Sequence, residues 1–220
     1  GGWSVSGNLA GGDPGRAGLK HQAFVWGSLS HYVYGVDEVQ FLDFETRVDK
    51  RKWYFEASPF RFHRPELAAV YGGHLRFTAR LLYGNFSELN SPLDWITLEC
   101  EACDSGHGIR LVRFTDDLVY WDGSESTFRF ALEPSGRWMR DPLNAAMDFT
   151  YADECAIAAV LTNLSRVAIL GDFTRAGEGV AIDDVAMVAA EMAAQPTYPI
   201  VCQKGCVCKH NTGVIRPMCC

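Results

Sequence analysis

The stretch Leu75-Arg76-Phe77-Thr78-Ala79-Arg80-Leu81 decides the fold class. Its odd positions are apolar and its even positions are mostly polar. A period of two puts Leu75, Phe77 and Leu81 on one face of a strand and Arg76, Thr78 and Arg80 on the other. The same pattern recurs on both sides. Ile96, Leu98 and Cys100 alternate with Thr97 and Glu99, and Phe128, Phe130 and Leu132 alternate with Thr127 and Arg129. Residues 109–114, 117–121, 166–170 and 180–188 also read as strands. Polar turns such as Ser105-Gly106 and Asp122-Gly123-Ser124 separate several of them. Many short strands at this spacing predict an all-β fold, a jelly-roll-like antiparallel β-sandwich.

One short helix interrupts the pattern. Over 152–164, Ile157, Val160, Leu161 and Leu164 fall at i, i+3, i+4 and i+7, with Thr150 and Asp153 placed to cap the start. The first 24 residues are Gly-rich and read as irregular chain. Gly11-Gly12-Asp13-Pro14-Gly15 lacks the Lys-Ser/Thr ending of a phosphate loop and reads as a turn. Pro196-Thr197-Tyr198-Pro199 reads as a stiff linker.

Composition narrows the function. The chain has 220 residues, 48% of them hydrophobic, which is enough to bury a full core. Phe, Tyr and Trp are abundant, and these suit pleated surfaces. Net charge is −7, and the basic residues are scattered, with Lys50-Arg51-Lys52 the densest spot. That pattern argues against nucleic acid and against an anionic membrane surface. No apolar run has membrane-spanning length, so the chain is expected not to be membrane-embedded.

Eight cysteines point to an oxidising compartment. Cys100, Cys103 and Cys155 lie in the body; Cys202, Cys206, Cys208, Cys219 and Cys220 crowd the C-terminal tail. Sequons at Asn85 (Asn85-Phe86-Ser87) and Asn163 (Asn163-Leu164-Ser165) agree with secretion. Cys100-Glu101-Ala102-Cys103 is followed by a loop, not a helix, and no second close pair stands in the body. A structural disulfide is therefore preferred to zinc or redox chemistry. Three body and five tail cysteines are both odd numbers. If all eight pair within the chain, at least one bridge joins body to tail. Otherwise a cysteine is free or pairs with another chain; a body-to-tail or interchain bridge is expected, with Cys155 as its body partner if Cys100 pairs with Cys103.

Several stretches carry a family pattern. Trp53-Tyr54-Phe55-Glu56-Ala57-Ser58-Pro59-Phe60-Arg61-Phe62 is followed by Tyr71-Gly72-Gly73-His74-Leu75-Arg76-Phe77. Then come 149–164, Arg166-Val167-Ala168-Ile169-Leu170-Gly171-Asp172-Phe173, and Ala181-Ile182-Asp183-Asp184-Val185-Ala186-Met187. In this order they resemble the laminin IV type A domain. Cys206-Val207-Cys208-Lys209-His210-Asn211-Thr212-Gly213, then Cys219-Cys220, is similar to the second half of a laminin-type EGF-like module. The resemblance implies a lead-in over 1–24, a laminin IV-like sandwich over 25–192, a linker over 193–200 and a partial EGF-like, disulfide-rich tail over 201–220. It also implies a non-catalytic structural or adhesive role in a secreted, extracellular matrix, cell-surface or appendage protein. The implied partners are neighbouring EGF-like modules and other extracellular proteins or glycans.

Two further readings concern ligands. Asp183 and Asp184 carry carboxylates suited to a structural Ca2+, with Asp13 as a further donor. The alternative, preferred here, is that one of them caps a turn. Trp121, Trp138 and Tyr120 are candidates for stacking on sugar rings, which defines the alternative function of a carbohydrate-binding module. Their placement in the core takes precedence. No paired carboxylates, Ser-His-Asp set, GxSxG or HExxH stands in the sequence, so no catalytic residue and no cofactor is expected.

Overall fold

The computed structural model describes residues 3–7, 20–23, 31–36, 52–57, 69–84, 94–115, 121–144, 146–174, 178–190, 200–201, 207–211 and 214–218. The strands in chain order are β1 (Trp3–Gly7), β2 (Lys20–Ala23), β3 (His31–Val36), β4 (Trp53–Ala57) and β5 (His74–Tyr83). Next are β6 (Asp94–Cys100), β7 (Ile109–Phe114), β8 (Ser126–Ala131), β9 (Met139–Asp141) and β10 (Thr150–Tyr151). Helix α1 (Glu154–Thr162) follows, then β11 (Arg166–Leu170) and β12 (Gly179–Val188). The tail contributes β13 (Ile200–Val201), β14 (Val207–Asn211) and β15 (Val214–Met218).

The body strands form two antiparallel sheets. The larger runs β1-β4-β11-β6-β7-β9-β10 and the smaller β2-β3-β12-β5-β8. Non-consecutive neighbours such as β4-β11-β6 and β3-β12-β5 mean that the chain crosses repeatedly between sheets, as the jelly-roll reading requires. The fold is an all-β sandwich with one short helix.

Alternation in the sequence becomes alternation in burial. Phe55 (β4), Leu98 (β6), Leu111 (β7) and Ile169 (β11) face inward from the larger sheet; Leu75 and Phe77 (β5), Phe130 (β8) and Val180 (β12) join the same core from the smaller. Aromatic rings dominate one part of it. Trp95 meets Phe128 edge-on at 4.8 Å and Phe130 at 5.0 Å, and Phe77 stacks on Phe130 at 5.8 Å. Such offset and edge-to-face contacts favour the ring quadrupoles beyond area burial alone.

Helix α1 packs Ile157, Val160 and Leu161 into this core. Asp153 is its N-cap, and its carboxylate accepts the Ala156 N–H at 2.7 Å, satisfying a donor the helix cannot pair internally. Thr150, the other expected cap, is instead in β10, opposite Arg140.

The Gly-rich lead-in needs correction. Residues 1–24 include β1, which pairs with β4 from Trp3↔Ala57 to Gly7↔Trp53, and β2, which pairs with β3. Trp3-Ser4-Val5-Ser6 has the two-residue alternation of a strand, but the surrounding glycines mask it. The predicted strand over 117–121 lies outside the described residues except for Trp121, which is in no strand. Most of the linker also lies outside the described residues. The tail strands form a separate three-stranded antiparallel sheet, β13-β14-β15, and β15 runs alongside α1.

Candidate functional site

The outer face of the larger sheet carries a ladder of charges. Register places Arg166 opposite Glu99, Glu99 opposite Arg110, and Arg110 opposite Asp141. Arg166 Nε donates to Glu56 Oε1 at 2.9 Å and its Nη1 to Glu99 Oε1 at 2.8 Å; a second bond runs from Nη2 to Glu56. Arg110 donates from Nη1 to Asp141 at 2.7 Å and from Nη2 to Asp94 at 2.9 Å, and its Nε lies 3.4 Å from Glu99. Two guanidiniums thus tie together carboxylates from β4, β6 and β9. The side chains are 12–34% exposed, so water screens them only in part.

The ladder shifts the groups around it. Burial by itself lowers the Arg166 pKa. The Glu56 hydrogen bond and the charges of Glu99 and Glu56 outweigh it, and the net direction is upward. Tyr54 is pushed up to about 12, first by burial and then by the Asp94 carboxylate, against opposition from Arg110 and Arg166. These groups brace a sheet face.

The body cysteines are placed as follows. Cys100 ends β6, Cys103 follows two residues of turn, and the two form a disulfide with Cα atoms 5.5 Å apart. Both are buried in the main core, and Cys103 Sγ lies 3.5 Å from the Ala159 carbonyl of α1. Cys155, in the first turn of α1, is also disulfide-bonded. Cys208 is in β14; Cys202, Cys206, Cys219 and Cys220 lie outside the described residues.

Asn163 is exposed at the C-cap of α1. Its sequon serine, Ser165, donates to the Glu99 carbonyl at 2.9 Å and accepts from the Glu101 N–H at 3.1 Å. Asn85 and Asp13 lie outside the described residues.

The Asp183-Asp184 pair lies within the last strand of the sandwich. It is at a bulge inside β12, where pairing with β5 jumps from Asp183↔Thr78 to Ala186↔Arg76. Asp184 takes a positive φ of 53° and is exposed. Asp is among the few side chains that tolerate this region, so it suits a bulge whose extra residue turns left-handed. Among the described residues, no group of three or more His, Cys, Asp or Glu side chains is placed to hold a metal ion.

The sugar-stacking reading fails for both candidate tryptophans. Trp121 and Trp138 are 9% and 1% exposed. Trp121 donates its indole N–H to the Ser124 carbonyl, and Trp138 donates to the Ala131 carbonyl, both at 2.7 Å. A nearby backbone carbonyl, from a turn for Trp121 and from the end of β8 for Trp138, satisfies each indole, so the rings can be buried without cost to the N–H. Tyr120 lies outside the described residues.

Sequence reasoning missed Glu178. It is fully buried after the loop that follows β11, and its Oε1 accepts the backbone N–H groups of Phe173 and, at 3.3 Å, Thr174. A lone Glu beside Gly-rich loop sequence carries no signal of this.

No protein-family model matches the sequence, and no curated protein matches it. Among solved structures the chain is similar to the L4b domain of human laminin alpha-2. The likeness has a TM-score of 0.52 at 12% identity and covers 73% of this chain and 80% of that one. At this identity the comparison establishes a shared fold. Among the described residues, no helix is long and apolar enough to cross a membrane.

Proposed function

We propose that the chain is a non-catalytic structural or adhesive module of a larger extracellular protein. The observation that carries this reading is the shared fold with the laminin alpha-2 L4b domain. The use of the charged side chains supports it. Arg110, Arg166, Glu56, Glu99, Asp94 and Asp141 brace one another across strands. In this reading residues 201–220 are part of an EGF-like module, and the natural neighbours are further modules of that kind.

The disulfides give the reading a mechanism. Cys100 and Cys103 occupy each other, so within the chain the partner of Cys155 is one of the five tail cysteines. β15 running alongside α1 is consistent with that. The bridge staples the tail to the sandwich and leaves an even number of tail cysteines to pair among themselves. A module stapled in this way transmits orientation to its neighbour instead of hinging freely.

The test is deposition. The chain is fused to a fluorescent protein behind a secretion leader and expressed in cultured cells. The reading predicts oxidised protein that accumulates in the pericellular matrix. Protein that stays entirely in the medium would remove the adhesive part of the reading.

A further inference from the structure

A cavity of about 400 Å3 opens beside β8, the edge strand of the smaller sheet. This is within the range of small-ligand sites. Its aromatic lining is Trp95, Phe128 and Phe130; Trp95 and Phe130 are core rings, 2% and 7% exposed, and Phe128 is half-buried. Arg113, Arg129 and Arg137 also line it. The cations come from three places: Arg113 from β7, Arg129 from β8, and Arg137 from the turn after it. Arg113 is 5% exposed, with its guanidinium 6.0 Å from the centre of the Phe130 ring. Arg129 and Arg137 are exposed at the mouth.

A second observation extends the positive field beyond the cavity. Arg76 on β5 stands directly opposite Arg129, with the rung Thr78↔Thr127 beside it. Like charges opposite each other destabilise a sheet. Among the described residues no carboxylate pairs with either, and Arg76 Nε is buried without a hydrogen-bond partner. Glu133, next to the lining in sequence, accepts from the Ser135 hydroxyl at 2.5 Å.

We propose that this edge binds an acidic oligosaccharide, with one carboxylate or sulfate group held in the cavity and the next along the Arg129–Arg76 rung. Guanidinium forks suit planar and tetrahedral oxyanions, and Phe128, the half-buried ring of the lining, is left for the apolar face of a sugar. An acidic peptide added as a strand is disfavoured, because the Trp138 indole already holds the Ala131 carbonyl on the free edge of β8. The inference stands apart from the structural-module reading, since a spacer module need not bind any glycan.

The test uses the full chain and titration calorimetry against a heparin-derived hexasaccharide, a hyaluronan hexasaccharide, neutral chitohexaose and poly-glutamate. Arg129→Gln and Arg137→Asn are surface changes, and Asn tolerates the left-handed backbone at 137 (φ 56°). The proposal expects one of the two acidic sugars to bind, more weakly at high salt, and each variant to lose about tenfold in affinity, the equivalent of about 1.4 kcal/mol. Unfolding midpoints matching wild type show that the loss is local. No binding of either acidic sugar at low salt overturns the proposal. Unchanged affinity in both variants does so too, as does binding of chitohexaose or poly-glutamate as tight as that of the acidic sugar.

Discussion

Gly171 lies against the indole of Trp53 so closely that a Cβ at 171 would stand 1.9 Å from Trp53 Cζ3. The Gly171 N–H donates to the Trp53 carbonyl at 2.9 Å, which fixes the approach. Gly35 on β3 meets the same ring from the other sheet, with its Cβ position 2.4 Å from Cζ3. One tryptophan thus fills the space between the sheets, and two glycines make room for it. Gly171→Ala is predicted to destabilise by about 1–3 kcal/mol or more through overpacking. Trp53→Phe in the same chain should recover part of that loss, which a double-mutant cycle by urea denaturation measures. Additive effects would show that the two residues are not in contact.

Removing Arg166 leaves Glu56 and Glu99 facing each other with less compensation. Arg166→Met is predicted to lower stability by about 1 kcal/mol, a modest figure because the ladder is partly exposed. Arg166→Lys should recover less than half of that, since one ammonium cannot hold both carboxylates in the geometry of the guanidinium fork. Denaturation at low and high salt checks the assignment. The difference between wild type and Arg166→Met should shrink as salt rises.

Tyr54 gives a pH dependence of definite sign. Its folded pKa, about 12, is above the ordinary value of 10.0, so folding favours the protonated phenol. The contribution is fully present below pH 10 and is lost as pH rises from about 10 to about 12. Ultraviolet titration of the phenolate should show a component lagging the bulk, to which Tyr32, also raised by burial, contributes, and Tyr54→Phe should remove the part that titrates near 12. A Tyr54→Phe titration that superimposes on wild type after allowing for one fewer ordinary tyrosine would contradict the environment described.

Asn163 and Ser165 separate glycosylation from folding. When the protein is secreted from eukaryotic cells, Asn163 is expected to carry a glycan, seen as a mass shift on enzymatic deglycosylation. Asn163→Gln should abolish the glycan at that site with little change in unfolding midpoint. Ser165→Ala should abolish it and also cost about 1–2 kcal/mol, because the Glu99 carbonyl and Glu101 N–H lose the same hydroxyl. Equal midpoints for the two variants would mean that the hydroxyl does not brace the β6 corner.

The strands were legible because local patterns decide them. Leu75, Phe77 and Phe130 sit at alternate positions and are buried, and Ile157, Val160 and Leu161 repeat with helical period and face the core. What stayed hidden depends on pairings distant in sequence. Glu56 and Arg166 are 110 residues apart, and nothing local joins them, although both occupy polar positions of alternating strands. β1 and β2 were hidden by their glycine neighbours. Trp121 and Trp138 were hard to place because indoles serve cores and binding faces equally well, and the carbonyls that satisfy them depend on turn geometry. The arginines at the β8 edge converge from separate strands, so a scan for a basic run passes over them.

Disulfide mapping tests the central claim, an oxidised sandwich stapled to its tail, most directly. Secreted protein is alkylated without reduction, digested and analysed by mass spectrometry. The prediction is a Cys100–Cys103 pair, a peptide linking Cys155 to one of Cys202, Cys206, Cys208, Cys219 or Cys220, and no alkylated cysteine. Cys155 recovered as an alkylated free thiol would contradict it.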